Sequence, residues 1–255
     1  MKGTILEKII EAKRLQIAAA KQNFDLGDIN RNANPFRLRE ALSDRSRHNI
    51  IAEFKRASPS KGIINDSVSP ALAAANYRDA GAAAISVLTE EHFFKGSIDD
   101  LRAVRNAVDL PILRKDFIID EFHIHESAAI GADAILLIVA ALRVNELRHF
   151  CSLSDELGLD ALVEVHDLAE MEVAAEIGAM LIGVNNRNLK TFEVSLDVSR
   201  ELIKYAPPGA IMIAESGISS RREIAELSGL GYSGFLVGES LMRSGDATSA
   251  LKAWL

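Results

Sequence analysis

The chain of 255 residues has one cysteine, Cys151, which excludes an internal disulfide. Aromatic residues make up only 5% of it, so a core must rest on Ala, Ile, Leu and Val, the composition of parallel strands covered on both faces. No apolar run approaches the ~20 residues needed to cross a bilayer; Ile135 to Leu142 is among the longest, and no apolar leader follows Met1-Lys2-Gly3. A cytoplasmic protein without membrane association is expected. The histidines lack metal-ligand spacing: His48, His92, His149 and His166 stand apart, and His123 and His125 fall at a helix start where exposure is unremarkable. No metal is expected. A net charge of −7 argues against nucleic-acid binding, but a local cluster of cations could still take a small anionic substrate.

What the chain does have is repetition. Short apolar runs begin near Ile50, Ala83, Pro111, Asp133, Asp160, Ala179, Ala210 and Ser233, spaced by 19 to 33 residues, and each is followed by a helical stretch. That spacing suits strand, loop, helix and return loop, each unit a right-handed crossover. Gly81, Gly131, Gly158 and Gly178 stand where a helix must stop before the next strand. No GxGxxG follows the first run and the units are even, so a closed (β/α)₈ TIM barrel is favoured over an open doubly wound sheet. One domain is expected, with the barrel over 49–255 and an N-terminal helical extension over 1–48. In that extension Thr4 to Ala20 has helical apolar spacing, and Pro35 can open a second short helix through Leu42. It either caps the closed end of the barrel or covers the open end and helps bind substrate.

Active sites of such barrels lie at the C-terminal strand ends. Here the first run ends in Glu53 and Lys55, followed by Ser58-Pro59-Ser60-Lys61-Gly62; the third ends in Lys115-Asp116-Phe117 and the fifth in Glu164. The sixth ends in Asn185-Asn186-Arg187-Asn188, the seventh in Glu215-Ser216-Gly217 and the eighth in Gly238-Glu239-Ser240. Any one of these could be a solvated end; all of them together converge on one mouth. The small residues Ser216, Gly217 and Gly238 let backbone approach an anion, which suits a phosphate held by the last two strands. The mixed charges suit general acid–base work, a lysine crowded by another lysine losing pKa so that it donates near neutrality. A structural salt-bridge network and a lysine Schiff base remain open. Cys151, in a helical stretch from Asn145 to Leu157, reads as a buried thiol rather than a nucleophile.

Those stretches carry a resemblance. Ile51-Ala52-Glu53-Phe54-Lys55-Arg56-Ala57-Ser58-Pro59-Ser60-Lys61-Gly62, Leu113-Arg114-Lys115-Asp116-Phe117, Glu164-Val165-His166, Val184-Asn185-Asn186-Arg187-Asn188-Leu189, Ala214-Glu215-Ser216-Gly217 and Val237-Gly238-Glu239-Ser240 resemble the indole-3-glycerol-phosphate synthase family. The likeness runs from about residue 4 to the C-terminus. It implies loss of CO₂ and water from 1-(2-carboxyphenylamino)-1-deoxyribulose 5-phosphate, in tryptophan biosynthesis, with no cofactor. By position, Lys115 matches the acid that protonates the carbonyl, Glu164 the carboxylate of the dehydration, and Lys55 a second lysine touching the substrate's anionic groups. Which lysine acts in which step stays open. Glu53 and Asn185 match orienting residues, Glu215 belongs to the same acid–base set, and Arg187 matches a cation tying the cluster together. Ser216, Gly217, Gly238 and Glu239 match the phosphate cradle, although a carboxylate at Glu239 should repel a phosphate unless its side chain points away. Phe94, Phe117, Leu136 and Leu189 match apolar walls for the anthranilate ring, and Ser58 a substrate contact.

The loop from Arg56 to Asp66 reads either as a mobile lid or as a rigid surface loop. Competing functions are an isomerase or aldolase of a sugar phosphate, and a non-catalytic phosphate-binding barrel. The phosphorylated small molecule is the expected partner, and a monomer is the expected state.

Overall fold

The computed structural model describes residues 3–23, 34–244 and 246–255. The parts of the 1–48 extension at 1–2 and 24–33 thus lie outside the described residues. Among those described, eight parallel strands close into a barrel: β1 (Asn49–Phe54), β2 (Ala84–Leu88), β3 (Ile112–Lys115), β4 (Ala134–Ile138), β5 (Asp160–Val165), β6 (Leu181–Asn185), β7 (Ile211–Glu215) and β8 (Gly234–Val237). β8 pairs with β1 from Asn49↔Gly234 to Ala52↔Val237, which closes the ring. Every apolar run of the repeat is a strand. Gly81, Gly131, Gly158 and Gly178 all take positive φ, between 71° and 97°, at helix ends.

Alternation along the strands sorts side chains into two cores. Ile50, Ala52, Phe54, Ile85, Val87, Ile182 and Val184 face outward and pack under the helices. Ile51, Leu113, Leu136, Leu162, Leu181, Ile213 and Leu236 face inward and fill the barrel. The inner column stops being apolar at its top, where Glu53, Lys115, Glu164, Asn185 and Glu215 continue the inward-facing positions. The third strand is shorter than its apolar run suggests. It ends at Lys115 because Asp116 turns away to an ion pair outside the sheet.

The extension serves both ends of the barrel. Helix α1 (Ile5–Asn23) lies over the open mouth, where Ile5, Leu6 and Ile9 line the central cavity. It is held there by Lys13, whose Nζ meets Asp116 Oδ1 at 2.8 Å with both side chains buried. Asp116 is also met by Arg114 (3.3 Å) and accepts a hydrogen bond from Thr89 Oγ1 (2.6 Å), while Arg114 pairs with Glu126 at 2.7 Å. Helix α2 (Arg37–Leu42) closes the opposite end. Leu38 and Leu42 are fully buried in the inner core, and Arg39 binds Asp160 through its Nε (3.0 Å) and its backbone N–H (2.8 Å). Thus α2 closes the base of the barrel while α1 covers its open end.

Two expectations need correction here. His123 is buried rather than exposed, because it lies beside the Lys13–Asp116–Arg114 network under α1, and burial with the nearby Arg114 cation holds its pKa down at about 3. Cys151 is half-buried in its helix, Val144–Glu156, and burial pushes its thiol up to about 12, so it stays an unreactive thiol. No helix among the described residues is long and apolar enough to cross a membrane, and none of their His, Cys, Asp and Glu side chains form a group that could hold a metal.

Breaking a buried pair leaves a desolvated charge behind. Lys13→Met strips Asp116 of one of its two cations, so urea denaturation should show a loss of about 1–3 kcal/mol. Arg143→Ala, in an exposed pair with Glu146, should change stability by less than about 0.5 kcal/mol. Equal effects for the two would mean that α1 is not anchored through Lys13.

Candidate active site

A cavity of about 610 Å³ opens at the C-terminal strand ends. Glu53, Lys55, Ser58, Phe94, Lys115, Phe117, Leu136, Glu164, Asn185, Arg187, Leu189, Glu215, Ser216, Gly217, Gly238 and Glu239 all line it. The strand-end residues thus meet in one space, as the fold requires. Their charges form three ion pairs at the floor. Lys115 Nζ lies 3.3 Å from Glu164 Oε2 and 3.1 Å from Glu215 Oε2, and Lys55 Nζ meets Glu53 Oε1 at 2.5 Å.

This geometry reverses the expected shift at Lys115. Burial favours the neutral amine, but the carboxylates of Glu215, Glu164 and Glu53 outweigh it and hold the group above the usual lysine range. Lys55 is turned toward Glu53 instead of crowding Lys115. Glu164 is the counterpart: against the cost of burial, Lys115, His166 and a hydrogen bond from Asn185 keep it ionised. Glu215 goes the other way. Burial and the neighbouring Glu164 and Glu53 outweigh Lys115 and push its carboxyl up to about 7.

Space for these carboxylates comes from two glycines. A Cβ at Gly183 on β6 would stand 2.1 Å from Glu215 Oε1, and one at Gly238 would stand 2.4 Å from Glu53 Oε1. Neither position takes any side chain without moving a carboxylate. At the end of β7, Ser216 and Gly217 both take positive φ, 65° and 79°, so backbone turns sharply at the cavity wall. Asn186 latches that turn: its Nδ2 donates to the carbonyls of Glu215 (3.0 Å) and Ser216 (3.2 Å), and its Oδ1 accepts from Ser199 N (3.0 Å) and Oγ (2.8 Å).

The wall opposite is apolar, with Phe94 and Phe117 ring centroids 6.1 Å apart, and Leu136 and Leu189 beside the same space. Glu239 does not stand alone at the rim. It faces Arg243 (3.2 Å), Arg187 (3.8 Å) and Lys61 (3.9 Å), which accounts for a carboxylate near a cationic pocket. The loop after β1 forms a short hairpin, Ala57–Ser58 pairing with Gly62–Ile63, whose tip, Pro59 to Lys61, borders the cavity. Its base is fixed by an ion pair from Arg56 to Asp100 and a hydrogen bond from Asn65 to the Met242 carbonyl (3.3 Å).

The family described as Indole-3-glycerol phosphate synthase matches residues 6–254. The chain belongs to that family. An indole-3-glycerol phosphate synthase of Carboxydothermus hydrogenoformans is 44% identical over 98% of this chain and 99% of its own length. One of Chlorobium luteolum is 48% identical, covering 96% and 95%. Solved structures similar in fold include a thiamine phosphate pyrophosphorylase from Pyrococcus furiosus (TM-score 0.61, 17% identity, 85% of this chain and 95% of that one). A 3-hexulose-6-phosphate synthase from Salmonella typhimurium gives a TM-score of 0.65 at 14% identity, covering 81% and 96%. At that identity they speak for the barrel alone.

Residues of this indole-3-glycerol phosphate synthase family member that sequence reading passed over include Ile5, Leu6 and Ile9 from α1, Arg243 beside Glu239, and the Asn186 latch. Helical spacing did mark Ile5 and Ile9 as one face; what that face covers is a tertiary fact. Arg243 lies four residues after Glu239, a helical spacing that could have paired them.

The shift at Glu215 has a stability consequence. Its folded value of about 7 lies above the ordinary 4.5, so its contribution to stability is complete below pH 4.5 and is lost as pH rises through about 7. Glu215→Gln removes that dependence. In urea melts the variant should gain on the wild type between acid and mildly alkaline pH; a constant difference across that range would mean Glu215 is an ordinary carboxylate.

Proposed function

We propose that this mouth performs the synthesis of indole-3-glycerol phosphate, the carboxy-lyase reaction of tryptophan biosynthesis that goes with the family, with Lys115 and Glu164 as its acid–base pair. The observation that carries the reading is a lysine held between two carboxylates on the floor of a cavity lined both by apolar side chains and by cations.

The substrate is 1-(2-carboxyphenylamino)-1-deoxyribulose 5-phosphate. Its anthranilate ring lies against Phe94, Phe117, Leu136 and Leu189, where burial of an aromatic face is favourable. Its phosphate lies at the turns of Ser216, Gly217 and Gly238, with Lys55 and Arg187 as nearby positive charge. Ser58 contributes a hydroxyl from the hairpin, and Glu239 keeps its carboxylate on Arg187, Lys61 and Arg243 rather than on the phosphate.

In ring closure the carboxyl-bearing ring carbon attacks the C2 carbonyl, forming a C–C bond while the carbonyl oxygen takes a proton from the Lys115 ammonium. Loss of CO₂ from that carbon returns its bonding pair to the ring and restores the benzene. The C2 hydroxyl then leaves as water, accepting a proton from a lysine ammonium, and Glu164 takes the proton released as the pyrrole double bond forms. Held between Glu164 and Glu215, Lys115 enters the first step as an ammonium with its proton available to the carbonyl oxygen. Asn185 and Glu53 orient Glu164 and Lys55. Glu215, at about 7, is suited to return protons to Lys115 between steps. The same reading treats the chain as one barrel domain working as a cytoplasmic monomer.

Turnover tests this directly: the purified chain should convert the substrate to a fluorescent indole. Lys115→Met should lower kcat by a factor on the order of 10² or more, with circular dichroism unchanged, and Glu164→Gln should do likewise. Wild-type rates in either variant would remove that residue from the mechanism.

A further inference from the structure

Glu164 presents one oxygen to Lys115; its other oxygen has a separate partner. Oε1 lies 3.3 Å from His166 Nε2, two residues on in the chain. The far ring nitrogen of His166, Nδ1, lies 3.0 Å from Glu170 Oε2. That same Glu170 oxygen accepts the backbone N–H of His166 at 2.8 Å. Glu170 is itself fixed in the first turn of the helix Leu168–Glu176, where its N–H donates to the capping Asp167 Oδ1 at 3.0 Å. A carboxylate therefore stands at each ring nitrogen. A neutral imidazole offers one N–H to these two carboxylates; the imidazolium bonds Glu170 through Nδ1 and sets its positive charge in ion-pair contact with Glu164 at Nε2. The ring is largely withdrawn from solvent, with 12% of the side chain exposed, and it stands behind Glu164 rather than against the cavity.

We propose that His166 is a positioning residue for Glu164: an imidazolium, anchored by Glu170, that holds the Oε1 side of the base so that it stays ionised with Oε2 toward Lys115. Glu164 is thus bracketed by a cation on each oxygen, one that faces the substrate and one that does not. During turnover Lys115 gives up its proton and its charge; His166 keeps its own, so Glu164 still has a cation beside it when it must act as a base. The groups facing this pair are Lys115, Asn185 and the Glu215 carboxyl on the Glu164 side and Glu170 on the other. Consistent with the geometry, burial favours the neutral ring but the carboxylates of Glu164 and Glu170 outweigh it, raising its pKa to about 10.

The inference rests on Glu164 being the proton acceptor, and the two can fail separately. In the wild type, the ring nitrogens of His166 followed by NMR should remain protonated through about pH 8; titration near the ordinary ~6.5 would overturn the proposal whatever Glu164 does. In kinetics, His166→Gln should move the acid limb of the kcat profile upward by about 1 pH unit, with KM within about twofold of wild type. Glu170→Gln should move it the same way by less, and covers the case in which His166→Gln does not fold. A loss of kcat that is the same at every pH would mark His166 as merely structural and overturn the assignment. Wild-type turnover in Glu164→Gln would instead sink the acid–base reading while leaving the ring NMR to stand by itself.

Discussion

An ammonium group on the floor of a barrel mouth must be met there by opposite charge, because the cost of desolvating it is several kcal/mol. Lys115, at the end of β3, is met by Glu164 from β5, two strands along, and by Glu215 from β7, across the ring. Those carboxylates must then be accommodated in turn. With Glu53 they outnumber the two lysines at the floor, and the excess negative charge is relieved in two ways. Glu215 retains a proton more readily than an ordinary carboxyl, and Glu164 draws on the histidine behind it. The perturbed groups of this site are thus one electrostatic system rather than independent residues.

That system needs room that the barrel would not ordinarily leave. Inward-facing positions of a narrow barrel are filled by side chains in layers, yet β6 presents Gly183 beside Glu164 and the end of β8 presents Gly238 beside Glu53. The missing side chains are the volume into which Glu215 and Glu53 lean. Below this layer the interior is filled mainly by apolar side chains, Ile51 and Leu236 among them, and is sealed at the base by Leu38 and Leu42. The polar floor therefore rests on a dry foundation, which keeps the charges strongly coupled.

Much of this was legible in the sequence, and for a local reason. The apolar runs announce the strands, and the residue that ends a run is the residue at the barrel mouth, so Glu53, Lys115, Glu164, Asn185 and Glu215 could be gathered from their positions alone. Their pairings could not. Lys55 and Lys115 look like mutual neighbours when strand ends are superposed, and the expected depression of Lys115 followed from that; in the fold each lysine has turned to a carboxylate. His123 looked exposed for a similar reason: a helix start gives no sign that another helix lies over it. The indole-forming chemistry was legible only through resemblance, since a cluster of lysines and glutamates names no substrate. Asn186 differs from Asn185 by one position, and only the fold separates a latch from a group beside the base.

The extension grips the barrel at both ends, and this bears on the order in which the chain assembles. Lys13 finds Asp116 only after β3 has formed, and Arg39 finds Asp160 across 121 positions of sequence, at the start of β5. Contacts of that span carry a loop-closure cost that falls only once the intervening strands are in register. During synthesis the extension emerges before the strands on which it docks, with its apolar face and its lysine lacking their counterparts. The helix that covers the mouth is thus tied to a residue made about a hundred positions after it, so its docking depends on the strand beneath it.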